Sequence, residues 1–146
     1  MKPWKNLNSL RWQKILSLNK FNPYFFTILL AILIGTLLDL YFVNNNYYEF
    51  PIRPFPNIFS INIGFTLCIF PVATLLYLFI MKKINRLEKF IVILIICFLV
   101  PLGEHVSEHL GLFLHNETWN HSYSFIGYFL FLIIVWKIFQ WMDKKK

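Results

Sequence analysis

The sequence predicts an all-α integral membrane protein, a bundle of four transmembrane helices with both termini in the cytoplasm. Three observations lead there. Of its residues 58% are hydrophobic and only 14% charged, more apolar surface than a soluble domain of 146 residues can bury, whereas a bilayer removes the need. Four apolar stretches approach the length that crosses about 30 Å of hydrocarbon at about 1.5 Å per residue. Every basic residue except Arg53 falls where alternating spans place it on one side, the asymmetry that marks cytoplasmic loops.

The formal charge of +7 lies in clusters beside the spans, which points to the lipid bilayer as partner and away from nucleic acid. Residues 1–22 form a basic leader, 23–142 the membrane domain and 143–146 a basic tail. In the leader Trp4, Leu7, Leu10, Trp12, Ile15 and Leu16 recur at rough helical spacing among lysines and Arg11. A short helix lying on the cytoplasmic surface and a solvated basic leader both fit that pattern. No small-residue cleavage site follows the first apolar segment, so a cleavable signal peptide is not expected.

Asn22-Pro23 is expected to start span one, Pro23 to Val43, where Gly35, Thr36 and Asp39 share the face turned into the bundle. The outer loop after Asn44 is stiffened by Pro51, Pro54 and Pro56. Span two is expected from Ile58 to Met81, packing through Asn62, Thr66, Ala73 and Tyr77 and kinked at Pro71. Cys68 and Cys97, both mid-span, read as small buried apolar side chains. After the basic turn Lys82 to Lys89, span three begins at Phe90, but its uninterrupted apolar run stops at Leu102 after only about 20 Å of helix. The helix either continues through Glu104 toward Leu114 or stops as a re-entrant piece; continuation keeps the backbone groups paired. Span four runs from Ser124 to Met142.

Chemistry concentrates between Gly103 and Ser122, which hold all four histidines. On a continuing helix Glu104, Glu108, Gly111 and His115 share a face, with His105 and His109 beside them. Leu99, Leu102, Val106, Leu110 and Phe113 fall opposite. Ionisable groups at that depth are costly and point to function; the alternative is an interfacial segment whose charges sit in water. His105, Glu108 and His109 match H-x-x-E-H. Two imidazoles at i and i+4 can grip one metal ion, so a zinc site of His105 and His109, with Glu104, His115 or Glu117 as third ligand, is one reading. A peptidase is not expected, since such enzymes need a distant further ligand and a substrate cleft. Arg53, alone among outer carboxylates, is expected to pair with Asp39, Glu49, Glu104, Glu108 or Glu117 and clamp the proline loop to the bundle.

The outer loop and second span, YYEFPIRPFPNIFSINIGFTLCIFPVATLLY, carry a tyrosine pair, an R-P-F-P turn from Arg53 to Pro56 and a proline inside the span, Pro71. With the acidic residue late in span one and the aromatic last span (Trp136, Trp141), they resemble a group of small, uncharacterised multi-span membrane proteins of endospore-forming Gram-positive bacteria. The resemblance implies a plasma-membrane location and carries no activity, cofactor or catalytic residue with it.

The leading functional expectation is a non-enzymatic membrane protein whose outer polar cluster, Asp39, Arg53, Glu104 and Glu108, stabilises the fold or contacts a membrane-protein partner or a second copy. The alternatives are a metal-binding or metal-dependent membrane enzyme at the outer face, and a small transporter or proton-coupled subunit. The transporter is disfavoured because the spans lack mid-depth charges and internal repeats.

Overall fold

The computed structural model describes residues 4–144, with side chains described from Pro23 onward. Lys2, Lys145 and Lys146 of the basic flanks lie outside the described residues, as do the side chains on which a surface-lying leader helix would rest. Helix α1 (Trp4–Asn44) runs through Pro23 rather than starting there. The Pro23 side chain is fully buried, and that packing offsets the backbone hydrogen bond a proline removes from a helix interior.

Pro23–Asn44, Phe65–Lys83, Arg86–His109 and His121–Lys144 are each long and apolar enough to cross a membrane. They lie in α1, in a π-helical segment (Phe65–Ile69) continued by α2 (Phe70–Lys83), in α3 (Arg86–His109) and in α4 (His121–Lys144). The only strands among the described residues are two short ones, β1 (Tyr48–Glu49) and β2 (Leu114–His115), paired antiparallel with Tyr48 opposite His115.

Contacts bring the ends together alternately. At one end Lys82 pairs with Asp143 at 2.8 Å, and Tyr24 packs on Phe79 and Phe139. This basic end gathers the close of α2 and α4 with the start of the first apolar stretch. The opposite, loop end holds the β1–β2 ladder and the junction of α3 with α4. Between them Leu78, Met81, Cys97, Val135 and Phe139 are fully buried, and the Tyr77 hydroxyl donates to the Leu132 carbonyl at 2.9 Å. A second cluster, Tyr48, Phe113 and Trp119 with Phe42, Tyr47 and Phe50, packs under the loops.

Three departures from the sequence reading have physical causes. Span two does not start at Ile58. Arg53 donates to the carbonyls of Phe50 (2.5 Å), Phe59 (2.7 Å) and Pro56 (3.3 Å), holding residues 50–59 in a loop, and helix begins only after Asn62, whose side chain accepts from Phe65 N at 3.1 Å. The disturbance expected at Pro71 takes the form of the π-helical turn just before it, closed by Phe70 N donating to Phe65 O. Proline cannot supply the next helical donor, and a wider turn relieves its clash with the preceding carbonyls. That extra residue rotates the rest of the helix: Thr66 and Tyr77 are buried as expected, but Ala73 is exposed and Thr74 takes its inward place, while Cys68 also faces out. Close approach is visible at Gly64, where a Cβ would stand 3.0 Å from Pro54 Cγ, so the proline loop rests directly on the helix start.

Helix α3 is continuous past Leu102 to His109, 24 residues or about 36 Å. Asn85 and Glu88 close its start with a reciprocal capping box. Its end is a Schellman turn: Gly111 N donates to Glu108 O (2.9 Å) and Leu112 N to Ser107 O (2.8 Å), with Gly111 at φ +69°, a conformation that favours glycine. Leu99, Leu102, Val106 and Leu110 are exposed, as the amphipathic pattern requires, but Phe113 is buried because the chain has already turned off the helix.

Candidate functional site

The Schellman turn ends α3 one residue after Glu108 and sends the chain back across the helix end. β2 then pairs with β1, Asn116 N donates to Tyr47 O at 3.0 Å, and Asn116 Nδ2 donates to Asn46 O at 2.6 Å. The Asn116 side-chain oxygen accepts from Thr118 and Trp119, and that of Asn120 from Ser122 at the start of α4. These turns place His115 and His121 over the last turn of α3, so that the four histidines and two glutamates meet.

Each contact can be assigned by asking where the protons lie. His121 Nδ1 is 3.0 Å from Glu104 Oε2, which also accepts from the Ser124 hydroxyl at 2.8 Å. A carboxylate accepts, so His121 donates from Nδ1 and, in the neutral ring, its Nε2 is bare. That Nε2 lies 3.5 Å from Glu108 Oε2. On the other side His105 Nδ1 lies 3.5 Å from the same oxygen, while His105 Nε2 meets His109 Nε2 at 3.3 Å. With the shared proton donated by His105, its Nδ1 is bare too. In these tautomers His105, Glu108 and His121 offer three ligand atoms within 4.8 Å of one another.

His115 adds to this. Its Nδ1 is 2.7 Å from the Asn116 carbonyl, which only accepts, so the neutral ring leaves Nε2 bare as well. Nε2 stands 3.0 Å from Glu108 Oε1 but off hydrogen-bonding geometry, and that buried oxygen has no hydrogen-bond partner. Lone pairs facing a carboxylate are stabilised by a positive charge, either a proton on the ring or a metal ion.

Beside the H-x-x-E-H pair the structure offers a second possible ligand set, His105, Glu108 and His121. His105 Nε2 and His109 Nε2 stand 3.3 Å apart, while Nδ1 of His105 turns the other way, toward Glu108. Glu117 is exposed and touches none of the cluster. Glu104 buttresses rather than completes the trio, and His121, which periodicity on α3 could not reveal, stands where a third ligand was sought. Arg53, expected on a carboxylate, meets only carbonyls, because three prolines in its loop remove the N–H donors that would otherwise pair them.

Asp39 lies away from the histidines. Its Oδ1 accepts from the Tyr48 hydroxyl at 2.7 Å, and burial, then the Asp39 carboxyl, push the Tyr48 hydroxyl far above the usual phenol range. Asp39 and Glu104 both border a cavity of about 780 Å³ between the helical core and the aromatic cluster under the loops. No family model, curated protein or solved structure matches the chain.

Proposed function

We propose that this is a multi-pass protein of the bacterial plasma membrane, with both termini cytoplasmic, that binds a divalent transition metal of the zinc class at its outer end. The four apolar helices, their exposed apolar faces and the gathering of Lys82, Lys83, Arg86, Lys89 and Lys144 at one end support the membrane placement. The same basic end suits the anionic inner leaflet.

The observation that carries the metal reading is the trio His105, Glu108 and His121, whose ligand atoms lie within 4.8 Å of one another. Ligand bonds of about 2.0–2.1 Å in a tetrahedron set neighbouring ligand atoms about 3.4 Å apart, and both histidine nitrogens stand 3.5 Å from Glu108 Oε2. Two of the ligands are also steadied from behind: His121 by Glu104, which itself accepts from Ser124, and His105 by His109. Carboxylate–histidine support of this kind fixes the tautomer that ligates.

Metal analysis and calorimetric zinc titration of the purified protein in detergent test the reading. Stoichiometric binding is expected at about pH 7.5 and marked weakening at about pH 5.5, where protons compete for imidazole. His105→Ala or His121→Ala should abolish it, and His109→Ala should weaken it about 10- to 100-fold. Absence of stoichiometric zinc at the higher pH returns the cluster to a structural role, tying the 110–120 loop to α3.

A further inference from the structure

The cavity between the two cores is a second site, which meets the metal centre at Glu104. Aromatic rings dominate its wall, among them Phe42, Tyr48, Trp119, Tyr123 and Tyr128. Two carboxyl groups border it, Asp39 and Glu104, yet no lysine, arginine or histidine does. Arg53 in the adjoining loop is taken up by three carbonyls. Asp39 has one hydrogen-bond donor, Tyr48, on Oδ1. Glu104 has both of its contacts on Oε2. Oδ2 of the first and Oε1 of the second have no partner among the described residues.

An occupant made only of hydrocarbon, such as a lipid tail, leaves these polar groups unanswered, and unpaired polar groups in an apolar site are costly. Aromatic faces attract cations, most strongly where water is excluded, and acidic groups without a protein cation ask for one from the ligand. We propose that the cavity binds a lipophilic organic cation, an amine or quaternary onium with a bulky apolar body, with Asp39 as its counter-ion. Glu104, also on the lining, adds negative potential. Gly127 leaves the room for the apolar body: a Cβ placed there meets nothing within 4 Å.

Equilibrium dialysis in nonionic detergent with tetraphenylphosphonium, against tetraphenylborate of nearly the same shape and opposite charge, tests this. Saturable one-to-one binding of the phosphonium is expected, with at least about tenfold weaker binding of the borate. Asp39→Asn should weaken phosphonium binding by about tenfold. Gly127→Leu, which narrows the cavity from a position where a Cβ meets nothing within 4 Å, should weaken it while helix content and thermal stability are kept, so the test stands even if Asp39→Asn folds poorly. Equal binding of both ions would mean an apolar hole with no charge selection. That result, lack of saturable phosphonium binding, or binding indifferent to Gly127→Leu, overturns the proposal.

Discussion

Replacing Arg53 separates two accounts of the proline loop. The guanidinium donates to Phe50 O at 2.5 Å in partly buried surroundings, and to Phe59 O and Pro56 O at exposed positions. A hydrogen bond from a charged donor is worth about 1.5–3 kcal/mol when shielded and much less where water can substitute. The Phe50 bond therefore dominates, and Arg53→Ala should cost about 2 kcal/mol. Arg53→Lys keeps the charge but not the planar fork, so it should recover about half of that. For a chain of this size 2 kcal/mol corresponds to a fall of about 4–8 °C in thermal midpoint, measurable by thermal unfolding in detergent. Because Asp39 is bonded to Tyr48 and not to Arg53, Arg53→Ala and Asp39→Ala should add. Non-additivity above about 0.5 kcal/mol, in a double-mutant cycle with Asp39, Glu104 or Glu108, would refute the carbonyl account and restore a carboxylate clamp.

Gly111→Ala places a Cβ on a residue at φ +69° and should destabilise by about 1–2 kcal/mol; zinc titration should weaken in parallel, since this turn carries His115 and His121 to Glu108. Tyr48 has a folded pKa above its unfolded value, so the stability it contributes is whole below about pH 10 and is lost as the pH rises from there toward the folded value. Relative to Tyr48→Phe, wild type should lose about 1.4 kcal/mol per pH unit in that alkaline range, followed by denaturant unfolding; equal slopes would remove the buried phenol from the account. Reporter fusions should read the C-terminal lysines as cytoplasmic and residues 45–57 as external, and an external C-terminus would reject four alternating spans.

Composition and charge pattern carried the four apolar helices and the continuation of α3 past Leu102, because those follow from length, periodicity and the need to pair backbone groups. What they did not carry depends on atoms that a sequence does not display. Residues 58–62 are apolar enough to belong to a span, yet the partners of Arg53 are backbone carbonyls, which every residue has. Ala73 and Thr74 exchanged roles because one extra residue in a π-turn breaks the 100° count. Glu104 and Glu108 were readable as one face of a helix, but His121 comes to that face from another element across a turn set by Gly111, Asn116 and Asn120. Periodicity reports neighbours on one helix; the ligand trio spans two.

Glu104 is the point at which the two proposed sites meet, and this governs which substitutions speak for which. Its Oε2 holds His121 in the tautomer that leaves Nε2 bare, while the residue also borders the cavity. Removing its charge would therefore loosen a metal ligand and lower the cavity's negative potential together, so a Glu104 variant that lost both activities would identify neither. Asp39 borders the cavity and its side chain bonds Tyr48, with no contact to the histidines; His105 is exposed on the far side of Glu108 and does not line the cavity. Substitutions at those two positions divide the sites cleanly. A dipositive ion at the trio would partly neutralise Glu104 and leave Asp39 as the cavity's principal anion, which is why Asp39, and not Glu104, is assigned as the counter-ion.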